Sequence, residues 1–297
     1  MSLNRKLHQC GTCFDKLSMR TFLIRIGADG NNILPHAEPV EARTEAPQAA
    51  ASRTEKLFVG LLAVVLTVFL SHPAQAADGY SDWAAVVVAG DWHAHDGSPS
   101  DIFDNARRDV ARNLIALGFA RANLEEFSAR PGAPVAAADA QAIGNALWDL
   151  SNRTSGGCFL YFSSHGSRDG LVLGNTILDP SRLAKMVNNS CADKPTVVVV
   201  SACFSGVFVA PLQAPNRLIL TAARADRASF GCGQTDRYSY FDQCVLSSWP
   251  QASGFASLGR AAQACVAARE KRERIGPPSE PQLWIGNRAA GELRNWP

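Results

Sequence analysis

Apolar positions along this chain fall into two textures. Four short runs are unbroken and rich in β-branched or aromatic residues: Trp83–Ala89 (WAAVVVA), 158–162 (CFLYF), 196–200 (TVVVV) and Arg217–Thr221 (RLILT). A strand wetted on one face alternates, so unbroken runs of this length predict strands covered on both faces. Between them the spacing becomes helical. Ile102, Phe103, Ala106, Val110, Leu114 and Leu117 define a helix over 102–117, with Gly118 placed to cap it. Ile143, Leu147 and Leu150 form the stripe of a second helix over 139–150, and Pro180 opens a third over 180–187. Further helices are predicted near 243–249 and over 255–274, the latter ended by Pro277 and Pro278 and finishing in a solvated, mixed-charge run. Residues 124–127 and Gln282–Ile285 read as shorter strands, and 171–173 as a hairpin piece. Trp83, Trp148 and Trp249, at element edges, are expected in the core. Buried strands separated by helices imply an α/β fold, a doubly wound and mainly parallel sheet with helices on both faces. With no repeat and no compositional break, 77–297 reads as one domain.

One apolar run does not belong to that pattern. Residues 57–70 are continuously apolar, preceded by Lys56 and followed by Ala74-Gln75-Ala76. As a helix they would rise only about 21 Å, short of a bilayer core of roughly 30 Å. A charged flank, a short apolar core and a small-residue site predict a signal peptide over 54–76, cleaved near Ala76, and hence an exported protein. The alternative is a membrane anchor through 57–70. Residues 1–53 lack periodicity and are punctuated by Pro35, Pro39 and Pro47. They are read as a dispensable, disordered leader, or one of doubtful authenticity. Its lone Cys10-x-x-Cys13 pair is weak evidence for zinc.

Charge adds an exclusion. Of 297 residues, 29 are Lys or Arg and 27 are Asp or Glu, and the entire surplus of +2 precedes residue 77. No basic face for nucleic acid is expected. Eight cysteines, two of them in the leader, are too few for a disulfide scaffold.

In open α/β sheets ligands bind beyond the carboxyl ends of the strands. Ser163-Ser164-His165-Gly166-Ser167 follows one buried strand and Ser201-Ala202-Cys203-Phe204-Ser205-Gly206 follows another. A histidine and a cysteine leaving one sheet edge are what thiol-based peptide hydrolysis needs. The thiolate attacks, and the imidazole takes up and returns the proton. Glycine after the histidine permits close backbone approach. The amides of Gly166 and Cys203 are candidates for an oxyanion hole. A thiol buried for packing and an unrelated loop histidine would satisfy the same pattern.

Tyr161 to Ser167 and Ser201 to Gly206 resemble the two catalytic motifs of the legumain-like (C13) peptidases, within the caspase-fold cysteine proteases. Agreement continues through Leu220-Thr221-Ala222-Ala223, Ser229-Phe230-Gly231-Cys232 and Tyr240-Phe241-Asp242, over roughly 83–249. The resemblance implies a caspase-like fold, a peptide or protein substrate, no cofactor, His165 as general base or acid, and Cys203 as nucleophile. It also implies a substrate pocket that includes the positions of Ser201, Ser229 and Asp242. Two departures bear on specificity. Ser201 stands where legumains carry an acid, and no arginine aligns in the loop after the first strand, with Arg107 or Arg108 as the nearest substitutes. Asparaginyl specificity is therefore not carried over. A transamidase would use the same dyad, and an exported binding domain would keep the fold without turnover.

A rival lies after the first strand, where Asp91, His93, His95 and Asp96 offer two imidazoles and two carboxylates within six residues. These types suit a divalent metal, although after residue 76 His165 is the only other histidine to complete a hydrolytic set. If Cys203 stays a free thiol, five cysteines remain after residue 76, enough for two disulfides. Cys232 with Cys244 is the pairing expected.

Overall fold

The computed structural model describes residues 79–293 and 295–296. The leader, the 54–76 segment with its cleavage site, and Cys10 and Cys13 lie outside the described residues. The main sheet has seven strands in the order β10-β9-β8-β4-β1-β2-β3. They are β1 (Trp83–Ala89), β2 (Leu124–Ser128), β3 (Ala136–Ala137), β4 (Gly157–Ser163), β8 (Thr196–Ser201), β9 (Arg217–Thr221) and β10 (Gln282–Ile285). Every neighbouring pair is parallel except β10 with β9. The expected hairpin piece belongs to a separate antiparallel sheet of β5 (Gly166–Ser167), β6 (Gly170–Leu173) and β7 (Thr176–Leu178).

Helices α1 (Ile102–Ala116), α2 (Ala140–Arg153), α3 (Pro180–Cys191), α5 (Tyr240–Ser248) and α6 (Phe255–Glu273) cover the main sheet, and short helices α4 (Val209–Leu212) and α7 (Ala289–Glu292) complete it. Successive β1 residues serve opposite faces. Ala84, Val86 and Val88 pack with Ile143, Leu147 and Leu150 of α2 and with Leu183 and Val187 of α3. Ala85 and Val87 pack with Val110 and Leu114 of α1, Phe241 of α5 and Leu258 of α6. All seven β1 residues are buried, and each such valine contributes about 1.5–3 kcal/mol by leaving water. This is the caspase-like α/β fold.

The helix boundaries follow local chemistry. Asp139 caps α2 by accepting from the amides of Gln141 and Ala142, both at 2.9 Å. Asp179 caps α3 ahead of Pro180, and Gly118, at φ +103°, ends α1. Helix α5 begins three residues earlier than its apolar spacing indicates, because Ser239 accepts from the Asp242 amide and starts the turn there. Two expectations are corrected. Trp148 is 50% exposed, one step off the buried Leu147 stripe of α2. Cys244 pairs with Cys265, joining α5 to α6, and not with Cys232, which packs in a small cluster with Ala89, Ile102, Phe103 and Cys203. A second disulfide, Cys158–Cys191, ties the start of β4 to the end of α3.

Candidate active site

Strands β4 and β8 are parallel neighbours with Ser163 opposite Ser201, so their following residues leave one edge of the sheet. The Ser164 amide donates to the Ser201 carbonyl at 3.0 Å, and the Gly90 amide, after β1, donates to the Ser163 carbonyl at 2.9 Å. Two residues beyond these strand ends stand His165 and Cys203. The His165 ring meets the Phe103 ring edge-on at 5.0 Å, and Cys203 lies in the apolar cluster that contains Phe103. Phe103, at the start of α1, therefore forms a common wall for both.

The imidazole orientation follows from one contact, with Nε2 of His165 at 3.1 Å from the His93 carbonyl. A carbonyl only accepts, so Nε2 carries the hydrogen, and in the neutral ring Nδ1 is the basic nitrogen. Burial holds the His165 pKa below its ordinary value, against an opposing pull from Asp91. On the thiol side, the Ser229 amide donates to Sγ at 3.3 Å and the Ser229 carbonyl lies 3.5 Å from Sγ. Burial pushes the Cys203 thiol up despite these contacts. Both directions disfavour charge, so the resting pair is a neutral thiol and a neutral imidazole.

The turn carrying the thiol is strained. Phe204 has φ +57°, a left-handed conformation that costs a non-glycine residue about 1–3 kcal/mol. It is held by its amide on the Arg227 carbonyl at 2.8 Å. Position 166 must be glycine for a local reason: a Cβ there would sit 2.3 Å from the Cys203 carbonyl oxygen and 2.9 Å from Ala202 Cβ. The backbone after the histidine is thus in contact with the backbone of the cysteine.

The three expected substrate contacts divide. Ser229 touches the thiol. Ser201 and Asp242 are interior groups beneath the site, 2% and 0% exposed, and as placed they form no surface for a substrate. Asp242 accepts from Tyr161 Oη at 2.7 Å, Ser163 Oγ at 2.6 Å and Ser239 Oγ at 2.8 Å, and Ser201 Oγ lies 3.3 Å from Ser239 Oγ. Arg107 is also interior, paired with Asp104 at 2.8 Å and with Glu126, while Arg108 bonds the other Asp104 oxygen at 2.6 Å.

In the loop after β1, His93 Nδ1 bonds Asp91 at 2.7 Å. His95 Nδ1 donates to the Cys232 carbonyl at 3.1 Å, and Asp96 accepts from Ser98. These groups thus serve the loop's own geometry. The sequence reading considered His93 only for its ring, whereas its carbonyl is what meets His165; no residue type signals a backbone acceptor, and only the position after β1 pointed to this edge. A cleft of about 600 Å³ adjoins the same loop, lined by Trp92, Ser100, Asp101, Arg130, Gln234 and Asp236 among others.

Residues 125–266 match the model described as the Peptidase C13 family. Over this segment the chain is similar to the Peptidase C13 family. The match spans β2 to α6 and includes both strand-end segments. Among solved structures, caspase-1 from Spodoptera frugiperda is similar to this chain with a TM-score of 0.52. The likeness covers 70% of this chain and 87% of that chain at 15% identity, and is one of fold. No curated protein matches the chain. The family match supports a cysteine peptidase in general.

Proposed function

We propose that the protein is an exported cysteine endopeptidase acting through His165 and Cys203. The observation that carries this reading is that the two residues leave neighbouring parallel strands at one edge, with the imidazole turned so that Nδ1 is its basic nitrogen. As a substrate carbonyl arrives, the Sγ–H proton passes to His165 Nδ1 while Sγ bonds to the carbonyl carbon. The amides of Gly166 and Cys203 receive the developing oxyanion. Collapse breaks the C–N bond, and the leaving amine takes the proton from Nδ1. Water then gives a proton to Nδ1 and its hydroxyl to the acyl carbon, the C–S bond breaks to release the acid, and sulfur takes the proton back from Nδ1. Because burial keeps both groups neutral at rest, proton transfer belongs to the attack and does not precede it.

Export is supported by the apolar run 57–70 followed by Ala74-Gln75-Ala76 and by the disulfides Cys158–Cys191 and Cys244–Cys265 among the described residues, since such bonds persist in oxidising compartments. Asparaginyl preference is not part of the reading, since Ser201 replaces an acid and Asp242 is occupied by protein hydroxyls. Cys203→Ala is expected to lower hydrolysis of a peptide library by at least about 10³-fold, with the melting temperature nearly unchanged. Undiminished cleavage by that variant would overturn the dyad.

A further inference from the structure

Asp242 is a completely buried carboxylate for which the reaction has no direct use. Its side-chain partners among the described residues are hydroxyls, with no cation among them: Tyr161 and Ser163 from β4, Ser201 from β8 and Ser239 from the turn before α5. Burying a carboxylate without a countercharge is costly, and this one is retained only because several donors converge on it. The donors are not scattered. Ser163 is the last residue of β4, two before His165. Ser239 both caps α5 and contacts Ser201, the last residue of β8 and two before Cys203. One carboxylate thereby links the ends of both strands that carry the reacting pair.

Resting on the dyad reading, we propose that Asp242 is a positioning residue. Through Ser163 at the end of β4 and Ser201 at the end of β8, the latter also held by Ser239, it fixes the two strand ends so that His165 and Cys203 stay in reacting geometry, and it makes no contact with substrate. Reaction rates respond steeply to such placement, since a shift of about 1 Å can cost about 10²-fold. An asparagine at 242 keeps the shape but puts an NH2 group where one carboxylate oxygen accepts, so it forces at least one hydroxyl out of its present role.

The test compares wild type with Asp242→Asn by kcat, KM and cleavage-site preference on a peptide library. Active sites are counted by stoichiometric alkylation of Cys203, so that loss of folded protein is not mistaken for loss of rate. The expected result is a kcat per site at least tenfold lower, KM within twofold and preference unchanged. A changed preference or a rise in KM alone would make Asp242 a substrate contact, and an unchanged kcat per site would make it purely structural; either overturns the proposal. If Asp242→Asn does not fold, Ser163→Ala removes one donor and is read by the same criteria, with about a threefold loss of kcat expected. The two readings fail separately. Hydrolysis that survives Cys203→Ala defeats the dyad and this proposal with it, whereas dyad-dependent hydrolysis with the wrong Asp242 profile defeats this proposal alone.

Discussion

At its first residues β4 is held by covalent and apolar means, and at its last by hydrogen bonds. Gly157 lies so close under Trp83 that a Cβ would come within 2.6 Å of the indole, and Cys158 is bridged to Cys191. Six residues later Ser163 donates to Asp242, Ser164 to the Ser201 carbonyl, and His165 to the His93 carbonyl. One end tolerates no adjustment and carries no chemistry. The other is built from directional contacts that orient side chains, and beside it the turn after β8 carries the strained Phe204. Stability and reactivity are thus concentrated at opposite ends of one strand, as expected where a rigid sheet supports a site built on the loops beyond it.

That division can be broken first at Gly166. Gly166→Ala puts a methyl group against the Cys203 backbone, so kcat/KM on a peptide substrate is expected to fall about 10²-fold, with about 1–3 kcal/mol lost in denaturant unfolding. Retention of wild-type kcat/KM would mean that the two backbones are not in the contact described. At the other end, the paired change Cys158→Ala with Cys191→Ala should cost about 2–4 kcal/mol by opening a loop of 33 residues, while kcat at 25 °C stays within twofold. A large fall in kcat there would abolish the distinction between the ends.

The smallest effect is in pH. Nδ1 must be unprotonated to accept the thiol proton, and burial lowers the His165 pKa, so the acid limb of kcat/KM should lie below about 6.5. The same shift sets a sign for stability. Below about pH 6.5 the unfolded imidazole binds a proton that the folded one resists, so this residue's contribution makes stability fall as pH drops toward the folded pKa. An acid limb above 6.5 would place His165 in a charged, partnered environment that the described contacts do not contain.

Most of the fold was legible in the sequence. The runs at β1, β4, β8 and β9 have few alternatives, because a strand covered on both faces is mostly apolar along its length and keeps its polar residues near its ends. The candidate pair was legible for the same reason, since His165 and Cys203 stand at the same distance past two such runs. Partners distant in sequence were not. Nothing in residues 239–242 says that the carboxylate turns inward to meet a cluster of hydroxyls, and the disulfide partner of Cys244 depends on which face α5 presents to α6. Trp148 shows the same limit at closer range, for a displacement of one residue around a helix separates burial from exposure.

By itself the sequence determined the alternation of buried strands and amphipathic helices and the edge from which His165 and Cys203 emerge, because local hydrophobic pattern is a property of neighbours along the chain. The tertiary structure alone decided that His93 supplies a carbonyl, that Phe103 walls both reacting groups, that Cys244 meets Cys265, and that Asp242 lies beneath the site. Those depend on direction and distance between segments about 20 to 100 residues apart, where side-chain type leaves many pairings open and close packing selects one.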